Sequence, residues 1–221
     1  YANNLKTIGA YAFSVRSPNN MSSMTYDVTL NAGIQSIGKR AFNQRKDIKN
    51  FNFDSTSNQE DRRLNYIGDY AFYKCVNLKT CNVADSRLSY LGMYAFAETT
   101  GLSSSMTVGG TLNTLSEGTF YNSKITSCKL TSYINYINAY AFYNCTNMTS
   151  LYLNGSTYTD MSNIYRLGDY ALAYCSSLSS SVRFSTNTFS GGSTSRSISR
   201  SGSTYYPEFY TTYNERSENA Y

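Results

Sequence analysis

The sequence predicts a solenoid of stacked, strand-containing repeats rather than a single globule. Three observations lead to this fold class. A short motif, which in its clearest form runs from Ile67 to Phe72 and reads Ile-Gly-Asp-Tyr-Ala-Phe, occurs seven times in order along the chain. Successive copies are 22 to 30 residues apart, counted at their last residue. A second apolar set follows the motif and alternates apolar with polar residues, as a short strand does.

The repeat explains how such a chain buries apolar surface. About twenty residues with one apolar ridge cannot bury it alone, whereas stacked copies bury it against each other. Leu, Ile and Phe at fixed offsets are therefore expected to form columns, with one layer in each repeat. The glycine of the motif predicts a tight turn, although Ser116 and Asn138 occupy the same position in two copies. The seven copies end at Phe13, Phe42, Phe72, Phe96, Phe120, Phe142 and Leu172.

The second apolar set occurs with two spacings. Its plain form, Leu-x-x-Leu-x-Leu, is represented by Leu78-x-x-Cys81-x-Val83. Three other sets carry one extra residue, which predicts either a β-bulge or a longer turn before the strand. These three sets span residues 24–30, 102–108 and 178–184.

Composition limits the classes of function. The 221 residues include no His and no Trp, but 23 Tyr, and the net charge of +5 comes from scattered Lys and Arg. A nucleic-acid-binding domain clusters its basic residues on one face, so this class is not expected. No apolar run has the length of a membrane-spanning helix. The usual general base is missing and the carboxylates are dispersed over the repeats. The chain is therefore predicted not to be an enzyme and to need no cofactor.

The five cysteines all fall on predicted core columns. Cys75, Cys145 and Cys175 share one position of the motif, while Cys81 and Cys128 share the middle apolar position of the second set. Buried free thiols, which behave as small apolar groups, are the expected state. Disulfides are the alternative. A metal site is not expected because no His or carboxylate recurs beside the cysteines.

These motifs resemble a known family. The pattern Ile-Gly-x-Tyr-Ala-Phe-x-x-Cys with a downstream Leu-x-x-Leu-x-Leu, found over about residues 5–184, is similar to the BspA-type (Treponema pallidum-type) leucine-rich repeat. Thr119 and Leu172 depart from the family's Ala-Phe pair. The resemblance implies an α/β leucine-rich-repeat solenoid of about seven repeats, right-handed and β-rich, with short helical or 3-10 turns. It also implies a cell-surface or extracellular location and adhesion to host or extracellular-matrix proteins.

The chain divides into two predicted parts. Residues 1–184 are the solenoid, and residues 185–221 are a Ser/Gly/Tyr-rich segment. Within that segment, residues 190–203 are expected to form a linker or long loop. The aromatic residues after it would serve as a partial cap or begin a truncated next repeat. The insertions at 14–23, 54–63 and 154–163 are expected to be surface loops, either freely variable or in contact with a partner.

The candidate ligand-binding residues lie on the outward side of the predicted strands. The residue between the last two apolar positions of each second set points outward. Lys129, Tyr152 and Arg183 are large enough to anchor a partner, and Tyr and Arg are enriched at interface hot spots. The recurrent tyrosine of the motif is expected to form a structural stack instead of a ligand site. The small outward residues are Thr29, Asn52, Asn82 and Thr107.

The sequence thus predicts a surface or secreted binding module, with adhesion to a host or extracellular-matrix protein through the repeat face. The alternative is a structural spacer or stalk that displays other domains and has no ligand of its own. Binding by the isolated chain distinguishes the two hypotheses.

Overall fold

The computed structural model describes residues 5–16, 24–30, 33–53, 64–131, 134–153, 164 and 166–178, and the backbone of 181–185 and 195–199. These residues form strands and hydrogen-bonded turns. The strands are β1 (Thr7–Ile8), β2 (Tyr26–Leu30), β3 (Ser36–Ile37), β4 (Ile48–Phe53), β5 (Tyr66–Ile67), β6 (Thr80–Cys81), β7 (Val83–Leu88), β8 (Tyr90–Leu91), β9 (Ser105–Gly110), β10 (Thr114–Leu115), β11 (Ser127–Leu130), β12 (Tyr136–Ile137), β13 (Ser150–Leu153), β14 (Arg166–Leu167), β15 (Ser181–Ser185) and β16 (Ser195–Ser199).

Two kinds of parallel ladder run along the stack. Two-residue strands, one before each turn motif, form the sheets β1-β3-β5-β8 and β10-β12-β14. The strands of the second apolar sets form β2-β4-β6 and β7-β9-β11-β13. The register pairs equivalent residues, such as Ile37 with Ile67 and Cys128 with Leu151. Each repeat therefore adds one layer to a continuous core, as the sequence predicts.

The centre of this core is a column of phenylalanine rings. Phe13, Phe42, Phe72, Phe96, Phe120 and Phe142 stack in order, with neighbouring centroids 5.0 to 5.7 Å apart and ring planes within 12° of parallel. Phe51 meets Phe42 and Phe72 edge-on, at 4.9 Å from each. Offset-stacked and edge-to-face contacts are the favoured geometries for aromatic pairs. The column explains why Phe recurs in the motif.

The Tyr-Ala-Phe turns are bonded both within and between repeats. Phe72 N–H donates to the Ala95 carbonyl at 2.8 Å in the next repeat, whereas Ala71 N–H donates to Gly68 in its own. Six of the seven turns have two positions with positive φ, and the first turn has one. Most of these positions hold non-glycine residues, for which this conformation costs about 1–2 kcal/mol each in an isolated residue. The bonds between repeats offset this cost. The first position holds Tyr11, Arg40, Tyr70, Tyr94, Gly118, Tyr140 and Tyr170, and the second holds Gln44, Lys74, Glu98, Asn122, Asn144 and Tyr174.

Glycines allow the short strands to stack closely. A β-carbon at Gly68 would lie 2.6 Å from the Lys39 backbone nitrogen, and one at Gly92 would lie 2.4 Å from that of Asp69. Ser116 occupies the same position in the next repeat, and its hydroxyl donates to the Leu91 carbonyl at 2.6 Å. The short ladder is divided at this point into its two sheets. Ser116 carries a side chain that Gly92, the equivalent residue of the preceding repeat, lacks.

The structure refines two sequence-based expectations. The turns contain no helix in the described residues, so the short helical or 3-10 fragments are not seen there. The register between β2 and β4 shifts at Tyr26/Asp27, but the unpaired residue is Lys49 of β4 and not a residue of set 24–30. The extra residue of set 102–108 lies before β9, so the longer entry turn is the alternative that this set shows. The insertions 54–63 and 154–163, and residues 17–23 of the insertion 14–23, lie outside the described residues.

The prediction of a linker or long loop at residues 190–203 is partly wrong. Residues 195–199 form β16, which pairs antiparallel with β15. The signal for a strand is the alternation Ser-Arg-Ser-Ile-Ser, since every second residue is serine. The Ser/Gly-rich composition obscured this alternation. The rest of 186–221 lies outside the described residues.

The cysteine position of the motif carries a hydrogen bond between repeats. All five thiols are buried, and the Cys75 sulfur donates to the Phe42 carbonyl at 3.1 Å. Cys145 and Cys175 make the equivalent bonds to Phe120 and Phe142. Burial raises the pKa of the Cys75 thiol to about 12. The cysteines are thus structural groups with inaccessible sulfur atoms.

Thiol titration tests this assignment. In the native chain at pH 8 we expect no reaction with a chromogenic disulfide reagent, because the thiolate is the reactive form and burial disfavours it. In denaturant without reductant, all five cysteines should react. Reaction of only three would instead indicate a disulfide. Rapid labelling of the folded chain would contradict the burial.

Candidate functional site

The β7-β9-β11-β13 sheet places two of the three predicted site residues side by side. Lys129 in β11 is the direct register partner of Tyr152 in β13, and of Thr107 in β9 on its other side. The alternation of the strands produces this face, because Cys128, Leu130 and their equivalents point into the core. Lys129 is exposed and Tyr152 is half-buried.

Arg183 is not brought into that register. It lies in β15, which forms a separate two-stranded sheet with β16. The sequence predicted a continuous parallel face through Arg183, but the described ladder ends at β13. The predicted site therefore reduces, in the described strands, to Lys129 and Tyr152. The role of all three residues in binding stays a prediction.

The neighbouring β2-β4-β6 sheet has a different outward surface. Its polar side chains bond to each other across the strands: Asn50 Nδ2 donates to Asp27 at 2.8 Å, and Thr80 Oγ1 donates to Asn50 Oδ1 at 2.8 Å. No such bond engages Lys129 or the Tyr152 hydroxyl among the described residues. The Lys129 and Tyr152 side chains are therefore available to a partner, while Asp27, Asn50 and Thr80 bond to each other.

The Tyr-Ala-Phe turns carry a second surface feature. The recurrent tyrosines stack as predicted, with Tyr70 and Tyr94 at 5.3 Å and Tyr140 and Tyr170 at 5.4 Å between centroids. Between these pairs the column is interrupted at Gly118. A surface groove of about 450 Å³ lies beside the interruption. Its lining residues are Tyr70, Tyr73, Tyr94, Glu98, Tyr121 and Tyr140.

Carboxylates hold the phenol groups around this groove. Tyr73 donates to Glu98 at 3.0 Å, and Tyr94 donates to Glu117 at 2.8 Å. Burial, and then the bond to Glu117, raises the pKa of Tyr94, so the phenol remains protonated. Lys74 Nζ lies 3.6 Å from the other Glu98 oxygen. The groove thus combines aromatic rings with a carboxylate that has one cationic neighbour.

Sequence reasoning missed Tyr73, Glu98 and Tyr121 as surface residues. Tyr73 and Tyr121 both follow the phenylalanine of their motif directly, as does Tyr143. A tyrosine that recurs directly after the motif phenylalanine was therefore the signal in the sequence for a second row of surface tyrosines. Neither chemistry nor spacing indicated a groove, because its walls come from turns in four repeats.

Two further kinds of feature are absent from the described residues. In the part of the chain that the structure describes, no cluster of His, Cys, Asp or Glu could hold a metal ion. None of the described segments is a helix of the length and apolarity needed to cross a membrane. The polar side chains of the strand face and of the groove, in the described residues, lie on surfaces that a partner can contact.

Comparisons with known proteins agree with this architecture. A crystal structure of a leucine-rich cell-surface protein from Faecalibacterium prausnitzii has a similar fold, with a TM-score of 0.50 and 15% sequence identity. The match covers 79% of this chain and 57% of that one, so this chain spans a little over half of the neighbour's length. No curated protein shows significant sequence similarity. The sequence pattern described as a BspA-type leucine-rich repeat region matches residues 1–62 and 65–194, in six copies. The chain belongs to the BspA-type leucine-rich-repeat family.

Proposed function

We propose that this chain is a surface or secreted module that binds a host or extracellular-matrix protein through the β7-β9-β11-β13 sheet. Family membership supports a binding role, since leucine-rich repeats generally mediate protein interactions. The structural neighbour is described as a cell-surface protein, which favours the same location for this chain. The role is one of binding and not of catalysis.

The observation that carries the proposal is the pairing of Lys129 with Tyr152. Their side chains project from adjacent strands of a parallel ladder, and the strands fix their spacing. Tyrosine supplies a large contact area at low entropic cost, and a neighbouring ammonium adds a charge that a partner carboxylate can meet. A rigid scaffold of this kind favours binding because little of the chain must be ordered when a partner arrives.

The proposal is tested by binding of the 221-residue chain to a panel of immobilised extracellular-matrix proteins. We expect saturable binding to at least one of them. The Lys129→Ala/Tyr152→Ala double variant should bind about 30-fold more weakly, as loss of a hot-spot pair does. Adding Arg183→Ala to this variant tests whether β15 contributes to binding. If it does, binding weakens further.

A matched control variant removes one positive charge and one aromatic ring at positions outside the proposed surface. Lys79 and Tyr66 are both exposed, and the Lys79→Ala/Tyr66→Ala variant should bind as the parent chain does. Equal binding by the parent and the Lys129/Tyr152 variant would remove the site from this sheet. A folded chain that binds no protein of the panel would overturn the proposal and favour a structural spacer.

A further inference from the structure

One turn of the solenoid shows how a cation fits into the tyrosine column. Arg40 occupies the position that Tyr11 and Tyr70 hold in the repeats on either side. Its guanidinium carbon lies 5.9 Å from the Tyr11 ring centroid and 5.0 Å from that of Tyr70. Both distances are within the range of a cation–π contact. The column therefore accepts a guanidinium group between two tyrosine rings.

Gly118 interrupts the tyrosine column three repeats further along, and the Tyr94 ring lies against it, since an added β-carbon would be 2.3 Å from that ring. It holds the same turn position, with the same left-handed backbone, at φ +57°. Tyr94 and Tyr140 precede and follow it in the column, but Gly118 itself contributes no side chain. Tyr121 approaches from the next position of the same turn, with its centroid 6.1 Å from that of Tyr94 and 6.4 Å from that of Tyr140. These three rings line the groove.

Two carboxylates border the groove, with Lys74 beside one of them and Arg40 against the Tyr70 ring. Glu98 lines the groove, and Glu117 is bonded to Tyr94 at its edge. The ion pair that Lys74 makes with Glu98 is long, at 3.6 Å, and partly exposed. Exposed pairs of this kind contribute little stability. An incoming cation can therefore share Glu98 with Lys74 or displace it.

We propose that this groove binds the guanidinium group of an arginine side chain on a partner polypeptide. The tyrosine faces stack on the planar cation, and the Glu98 carboxylate accepts its N–H groups. A guanidinium suits this set better than an ammonium because it is flat, more weakly hydrated and able to donate in a fork. The site lies on the turns and not on the Lys129–Tyr152 surface. The failure of one proposal would therefore leave the other intact.

The test uses the full chain with tyrosine rings labelled for NMR. The probe is the capped peptide acetyl-Gly-Gly-Arg-Gly-Gly-amide, with two matched peptides that carry citrulline or lysine in place of arginine. Citrulline has nearly the shape of arginine but no charge. We expect saturable shifts with the arginine peptide, about tenfold weaker binding with citrulline, and several-fold weaker binding with lysine.

Variants locate the site. Glu98→Gln keeps the size of the side chain and should weaken binding of the arginine peptide at least about fivefold. Tyr121→Ala should weaken it by a similar factor, whereas Tyr66→Ala removes an exposed ring outside the groove and should have no effect. Thermal melting monitored by circular dichroism checks that each variant is folded. If Tyr121→Ala does not fold, the effect of Glu98→Gln on binding tests the proposal by itself.

Three results would overturn the proposal. Equal binding of the arginine and citrulline peptides would show that the groove does not select a cation. Equal binding of the lysine peptide would remove the guanidinium assignment. Unchanged binding by folded Glu98→Gln would place the peptide elsewhere on the chain.

Discussion

Phe72→Ala is expected to lower the free energy of unfolding by about 3–5 kcal/mol, the cost of truncating a core aromatic residue. Phe72 is fully buried and contacts three other rings. It stacks on Phe42 and Phe96, and it meets Phe51 edge-on. Alanine removes all three contacts and leaves a cavity between two layers that backbone hydrogen bonds hold in place. Urea unfolding followed by circular dichroism measures the change.

Phe13→Ala is the matched control for this prediction. Phe13 holds the same motif position and stacks on Phe42 at 5.2 Å, but it is 49% exposed. Its truncation should cost only about 1 kcal/mol, the worth of one aromatic contact. Equal losses for the two variants would contradict a column whose interior rings carry more of the stability than its terminal ring. An unchanged midpoint for Phe72→Ala would contradict the column itself.

Gly92→Ala is expected to lower the free energy of unfolding by about 3 kcal/mol, the upper part of the range for overpacking a core. The added methyl group would lie 2.4 Å from the backbone nitrogen of Asp69 and from the carbonyl carbon of Gly68. Both atoms belong to the preceding layer and cannot rotate away as a side chain does. The two repeats must separate, which weakens the short ladder between β5 and β8.

Gly9→Ala is the control for close stacking. It has the same place in the first repeat, but no atom lies within 4 Å of the added methyl group. We expect its stability to be unchanged or raised by up to about 1 kcal/mol, because alanine reduces the freedom of the unfolded chain. A Gly92→Ala variant as stable as the parent chain would contradict the requirement of close stacking for glycine. Equal losses in both variants would instead make the glycine a requirement of the turn.

The layered core could be predicted from the sequence because its signal is repeated. Phe42, Phe72 and Phe96 recur at one offset, and stacking is the way in which repeats of this size bury such residues. The burial of the cysteines follows from the same argument, since Cys128 replaces Phe51 and Leu151 at one position. The outward direction of Lys129 and Tyr152 follows from strand alternation alone.

The turn conformations could not be predicted in the same way. Tyrosine disfavours a positive φ, so no local rule places Tyr70 or Tyr94 in the left-handed region. The conformation is maintained by bonds to the next repeat, such as Tyr70 N–H to the Met93 carbonyl at 2.9 Å. The antiparallel pairing of β15 with β16 likewise depends on a contact beyond the repeat. The groove depends on the turn conformations, since these turns direct its rings.

The two proposed binding surfaces lie on different parts of the repeats. The strands present Lys129 and Tyr152, whose spacing is fixed by the ladder. The turns present Tyr94, Tyr121 and Glu98, whose directions are fixed by bonds between repeats. Changes at one surface leave the backbone bonds of the other intact, so the two binding activities should be separable by mutation.

Site-specific photo-cross-linking locates the protein-binding surface most directly. A benzophenone side chain is placed at position 152, 121 or 66, replacing a tyrosine in each case. Each chain is then irradiated with the matrix protein that the binding panel identifies. We expect a covalent adduct from position 152 and none from position 66. Adducts from position 121 or 66, with none from position 152, would contradict binding through the Lys129–Tyr152 surface.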